Sequence, residues 1–85
     1  MDEETRVYDY EEINAANIKE TLISVCEDLD EREYDPIKQI LGYLISGDPG
    51  YISSYKECRK RIMLLDRNAI LEVVLKEFIG RKWDI

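Results

Sequence analysis

The segment Tyr34–Ile52, YDPIKQILGYLISGDPGYI, places the tightest limits on what this chain can fold into. Asp35-Pro36 opens a helix: an Asp at the N-cap accepts free backbone N–H groups, and a Pro at the first helical position loses no hydrogen bond. Gly47-Asp48-Pro49 closes it. A glycine after the last turn can take the left-handed conformation, and the proline that follows blocks continuation. Between the two signals Ile37, Ile40, Leu41, Leu44 and Ile45 recur at i, i+3, i+4, i+7 and i+8, the spacing of one helical face. A helix this apolar over so few turns is expected to be covered on much of its circumference. Gly42 in mid-helix costs about 1 kcal/mol against Ala, which is tolerable where another element must approach closely. Asp48 to Ile52 reads as a turn, or as one helical turn capped by Asp48.

The flanking segments repeat the helical pattern. Ile18, Leu22, Val25, Cys26 and Leu29 share one face of a helix expected from about Asn14, its N-cap, to Glu31. Ser53 or Ser54 is expected to cap a third helix with Tyr55, Cys58, Ile62 and Leu65 inward and Lys56, Arg59, Lys60 and Arg61 outward. Asp66 can cap a fourth helix carrying Ile70, Leu71, Val74, Leu75 and Phe78, with Gly80 as its stop. Residues 1–12 are acidic with isolated aromatics. They read as a flexible acidic N-terminal arm in which Val7-Tyr8-Asp9-Tyr10 lies extended, and residues 13–85 read as a single helical domain. The fold class is all-α, a compact bundle of four main helices plus a short turn of helix.

Composition excludes several functions. With 85 residues the chain supports one domain, and its 45% hydrophobic content suits a globular protein. A domain of this size buries only about 60% of its unfolded surface, so a second chain would add needed core. No run approaches the roughly 20 apolar residues of a membrane span, and the N-terminus lacks a signal peptide's basic start and apolar run. The cytoplasm is the expected compartment. Residues 1–35 carry 13 acidic and 3 basic side chains, and residues 36–85 carry 6 acidic and 9 basic, giving −7 in all. That balance argues against nucleic acid as a partner. It also lets the two halves attract each other or a partner's opposite half.

Catalytic signals are missing. There is no histidine, and Cys26 and Cys58 stand 32 positions apart on apolar faces, a spacing that is not metal-binding. They read as small core hydrophobes. SGDPG has neither a Walker lysine nor Gly-x-Gly-x-x-Gly spacing. The chain therefore reads as a non-enzymatic binding module without metal or cofactor. Two features stand out for function. Thr5 lies in the acidic arm, where a phosphate would add about −1.5 to −2 charge. Arg59, Lys60, Arg61 and Arg67 form the basic cluster; such a cluster is either a solvated face paired with the acidic half or a docking surface for an acidic partner or a phosphorylated arm.

The block Tyr34–Ile52 resembles the signature of the IreB family, small IreB/ReoM-like regulatory proteins of Gram-positive bacteria. The likeness continues at Cys58-Arg59, Leu65-Asp66-Arg67 and Ile70-x-Glu72, and at Thr5, Tyr8, Asp9 and Tyr10. It implies an all-helical, intertwined homodimer without catalytic activity that is a substrate of the PASTA-domain Ser/Thr kinase and its phosphatase, with Thr5 matching the phosphorylated position. It implies a role in cell-wall synthesis and cephalosporin tolerance, with MurA and the Clp protease machinery (ClpCP) as downstream partners in one branch. Arg59 and Arg67 match the family's functional surface, and Asp35, Pro36, Gly47, Asp48 and Pro49 its structural motif. The sequence departs from the pattern at Asp35, where the family has Asn, at Met63-Leu64, where a basic pair is common, and at residues 81–85. An alternative reading is a constitutive protein–protein interaction dimer without a phosphoswitch.

Overall fold

A computed structural model describes the backbone of residues 3–83 and the side chains of residues 14–80. The described residues form four helices: α1 (Glu3–Glu31), α2 (Pro36–Ser46), α3 (Cys58–Met63) and α4 (Arg67–Trp83). Two short 3-10 turns, Pro49–Tyr51 and Tyr55–Glu57, lie between α2 and α3. No strand is present among the described residues, so the all-α expectation holds.

α1 is the spine against which α2, α3 and α4 pack. Its expected face is the one used: Ile18, Val25 and Leu29 are buried, and Leu22 and Cys26 pack against them. Its start is corrected. The helix begins at Glu3, so Asn14 lies within it and is not its N-cap, and the backbone of Val7–Tyr10 is helical rather than extended. The physical reason is the absence of any stop: the first proline is Pro36 and the first glycine is Gly42. Glutamates are good helix formers and suit the positive end of the helix dipole.

The α2 signals act as expected. Asp35 Oδ1 accepts from the Lys38 N–H at 3.2 Å, and Gly47 adopts φ 80°, its N–H donating to the Tyr43 carbonyl at 2.7 Å. Asp48 Oδ1 accepts from Gly50 N at 2.9 Å and caps the following 3-10 turn. Gly42 has its reason in the ring of Tyr51: a Cβ built there would stand 2.5 Å from Tyr51 Cδ1.

The burial of α2 is corrected. Ile40 and Tyr43 are buried and Leu44 packs on the core, whereas Ile37, Leu41 and Ile45 face outward, Ile45 at 75% exposure. α4 behaves alike: Ile70 is fully buried, with Ala69 and Val73 beside it, while Leu71, Val74, Leu75 and Phe78 are exposed. Each helix is apolar on more than one stripe, and within one chain only one stripe can meet α1. Gly80 does not stop α4, which continues to Trp83. Glycine ends a helix by turning left-handed, and Gly80 keeps a helical backbone at a cost of about 1 kcal/mol.

The third helix is shorter than expected. Ser53 Oγ accepts from Tyr55 N at 3.1 Å, but Ser54 makes no capping bond, and the chain first runs through the 3-10 turn Tyr55–Glu57. Lys56 and Glu57 then take φ of 51° and 62°, and α3 starts at Cys58. Asp66 caps α4 through Oδ2 and the Ala69 N–H, 2.9 Å.

Both cysteines are free, and burial pushes both thiols above their ordinary pKa. Cys58 is fully buried. Its alkylation by iodoacetamide is expected to be at least about a hundredfold slower in native protein than in urea, because reaction must wait for opening. Mass spectrometry of timed samples checks this, and equal rates would overturn it.

Candidate functional site

The basic residues come from the segment after α2, where the turns after Gly47 bring α3 and the start of α4 back over the core. Three of the four are tied to the fold. Arg67 reaches from the first turn of α4 to the C-terminal end of α2, where its Nη1 donates to the Leu44 carbonyl at 2.9 Å. Its guanidinium lies 6.0 Å from the centre of the Tyr43 ring. A Cβ on Gly47 would stand 3.0 Å from Arg67 Cζ. Gly47 is thus required twice, for its left-handed backbone and for the room it leaves the arginine. Arg59 Nε donates to the Ile52 carbonyl at 2.9 Å and fastens α3 to the 3-10 turn.

Arg61 turns the other way. Its Nη1 meets Asp28 Oδ2 at 2.8 Å and the Lys56 carbonyl at 3.0 Å, and its Nη2 meets Ser24 Oγ at 2.6 Å. The expected basic cluster is therefore divided: Arg59 and Arg67 engage carbonyls around the α2 end, and Arg61 is committed to α1. Lys60 stands free on α3 apart from an exposed ion pair with Glu57 at 3.7 Å, of a kind that contributes about 0–1 kcal/mol. Thr5 falls in the first turns of α1 by its backbone, and its side chain lies outside the described residues.

One cluster escapes sequence reasoning. Tyr55 donates its hydroxyl to Glu31 Oε1 at 3.0 Å, and Lys56 Nζ lies 3.0 Å from the same oxygen and 3.9 Å from Asp28 Oδ1. The Arg32 guanidinium sits 4.8 Å from the centre of the Tyr55 ring. These contacts anchor Lys56, which with Glu57 stands in a left-handed conformation that costs non-glycine residues about 1 kcal/mol or more each. Only the mutual spacing of an acid at 31 and a Tyr-Lys pair at 55–56 carried any signal, and spacing across 24 residues is not readable without the fold.

The Lys56 hydrogen bond, followed by that of Tyr55, holds the Glu31 carboxyl below its ordinary pKa, and Glu31 in turn raises Lys56. A depressed carboxylate adds stability above its unfolded pKa and loses it as pH falls through the folded value. The raised lysine adds stability below its unfolded pKa and loses it as pH rises through the folded one. Glu31→Gln is therefore expected to flatten the acid limb of a stability–pH profile while leaving the alkaline fall weaker but present. Urea midpoints across pH check this, and an acid limb unchanged from wild type would refute it.

Chemically, the arginines of this region can pair with anions. Guanidinium groups with remaining N–H donors engage carboxylate or phosphate oxygens in charge-assisted pairs, and both thiols are held in the less reactive protonated form. Among the described residues, no helix is long and apolar enough to cross a membrane. A family model described as IreB regulatory phosphoprotein matches residues 3–80, which takes in α1 from its first residue, the capped α2, both 3-10 turns, α3 and most of α4. The match ends where the resemblance of the sequence ends, ahead of residues 81–85, and with nearly the whole chain covered this protein belongs to the IreB family of regulatory phosphoproteins.

Proposed function

We propose that this protein is a non-catalytic, phospho-regulated adaptor in which residues 1–12 act as a separable arm and Thr5 is the phosphorylated residue. The family match over residues 3–80 carries the reading. The kinase is the PASTA-domain Ser/Thr kinase, opposed by its phosphatase, and the compartment is the cytoplasm. Arg59, Lys60, Arg61 and Arg67 make up the partner face, and the pathway served is cell-wall synthesis with its link to cephalosporin tolerance. The adaptor brings MurA to the Clp protease machinery in its unphosphorylated form.

The geometry supports this in two ways. Thr5 lies on the same helix as Ser24 and Asp28, the α1 contacts of Arg61, so a change in that helix is linked to the basic residues of α3. Arg59 is fixed by a bond through Nε, which leaves its terminal amino groups to meet carboxylate or phosphate. A homodimer accounts for the exposed apolar stripes of α2 and α4, since aliphatic surface of this extent on a small domain marks an interface.

Incubating the protein with the kinase domain and mapping the product by mass spectrometry tests the switch. Thr5 is expected to carry the phosphate; labelling elsewhere only, or none, would remove it. Sedimentation tests the dimer, and a monomer mass at micromolar concentration would exclude it. A constitutive interaction dimer is the second reading, favoured by the arginines already bonded within the fold. It predicts that Thr5→Ala is silent in cells.

A further inference from the structure

The outer face of α3 sets two large apolar side chains beside two residues of the basic face. Arg59, Lys60, Met63 and Leu64 stand at i, i+1, i+4 and i+5, so two cations lie one helical turn ahead of two large apolar side chains. The inner face holds the fully buried Cys58 and Ile62, and Arg61 is bonded to α1. Leu64 is 85% exposed and Met63 is half exposed. Leu64 also forms one wall of an open hollow of about 330 Å³, shared with Leu65, Arg61, Asn17, Glu20, Thr21 and Ser24, so one carboxylate stands in its lining.

A single exposed leucine needs no explanation, but an apolar pair beside a hollow and next to two cations is a contiguous surface of mixed chemistry. The charges around it set it apart from the apolar stripe of α4. There the neighbouring charges are of both signs and pair with each other, Lys76 with Glu72 at 3.1 Å and Lys19 with Glu77 at 2.8 Å. On α3 the terminal amino groups of Arg59 carry no hydrogen bond among the described residues, and Lys60 has only its exposed pair with Glu57. Residues 36–85 carry 6 acidic and 9 basic side chains against 13 and 3 in residues 1–35, so an acidic segment is drawn to this half of the chain and repelled by the first.

We infer that the outer face of α3 docks an acidic amphipathic helix of a partner protein. Two of its apolar side chains seat on Met63, Leu64 and the adjoining hollow, and its flanking carboxylates meet Arg59 and Lys60. The inference rests on the reading of this chain as a partner-binding regulator and adds an apolar anchor to its basic face.

Two synthetic helical peptides of equal length and charge test it. One carries two leucines one turn apart flanked by glutamates; the other has serines in place of the leucines. Each is titrated into isotope-labelled full-length protein and followed by amide chemical shifts. The leucine peptide is expected to bind about tenfold more tightly, since a seated Leu contributes more than enough burial for that factor, with shifts centred on residues 57–65. Leu64→Ser is expected to remove most of that advantage with little change in melting temperature, because Leu64 is 85% exposed, and Met63→Ser, at a half-exposed site, is expected to do so with a modest fall in it. Arg59→Gln and Lys60→Gln should weaken both peptides. Equal affinity of the two peptides, or shifts centred on α2 or α4, overturns the inference. If only the Arg59 and Lys60 variants lose binding, the anchor is wrong and the basic face stands. Kinase labelling of Thr5 is read separately, so failure of the switch is not mistaken for failure of the anchor.

Discussion

Ile52→Ala is expected to destabilise the domain by about 2–5 kcal/mol, the range for emptying a large buried aliphatic site. Ile52 is fully buried, though it belongs to no helix. It follows the Pro49–Tyr51 turn with extended backbone (φ −107°, ψ 132°), its N–H donating to the Pro49 carbonyl at 3.0 Å and its own carbonyl accepting from Arg59. That turn packs against both α2 and α3, so Ile52 plugs the gap where the chain passes from one to the other. Backbone bonds on both sides prevent the segment from collapsing into the void, which places the cost toward the upper part of the range. A domain of this size has about 5–15 kcal/mol in total, so the variant should lose a large share of its stability. Urea unfolding followed by circular dichroism measures it. Ile52→Val should lose only about 0.5–1.5 kcal/mol, and a loss below that for the alanine variant would show that the gap refills.

Arg61→Ala is expected to cost about 1.5–3 kcal/mol, the range for hydrogen bonds to charged groups. The side chains of Arg61 and Asp28 are only 28% and 22% exposed. One guanidinium spans Asp28, Ser24 and the Lys56 carbonyl. Lysine has a single ammonium and no planar fork, so Arg61→Lys should recover less than half of the loss. Lys60→Ala, one position earlier and 81% exposed in its side chain, should stay within about 0.5 kcal/mol. A double-mutant cycle of Arg61→Ala with Asp28→Asn isolates the pair, and a coupling near zero would show that Ser24 and the Lys56 carbonyl carry the cost instead. An effect of an Arg61 variant in cells therefore includes a loss of folding, whereas an effect of a Lys60 variant does not.

The helices were legible where local chemistry sets them. Asp35-Pro36, Gly47 and Asp48-Pro49 act within a few residues of themselves, and their caps form as the residue types require. The buried face of α1 was readable because it has a single apolar stripe. α2 and α4 have several, and nothing local says which of Ile37, Ile40, Leu41 and Ile45 meets α1; the answer depends on the crossing of two helices. The start of α1 was misplaced because Asn14 offered a cap, whereas no proline or glycine precedes Pro36 to stop the helix from starting earlier. At the site, the basic residues were visible as a cluster, but their division was not: Arg61 turns inward because Asp28 and Ser24 lie 33 and 37 residues away in sequence and beside it in space. The left-handed Lys56-Glu57 pair had no sequence signal, since glycine or asparagine usually marks such backbone.

The length of α1 limits how a modification near its start can be felt. Thr5 precedes Ser24, the contact of Arg61, by nineteen residues of one helix. At about 1.5 Å per residue that is nearly 30 Å along the axis, roughly three screening lengths at cellular salt, where the length is about 8 Å to 10 Å. A charge added at that end is invisible to the arginines as a field. It can be read by touch, either when the first turns of α1 unwind and carry it back or when another molecule grips that end. Along this helix the distance itself acts as insulation, so a charge at one end reaches the Ser24–Arg61 contact only through a physical one.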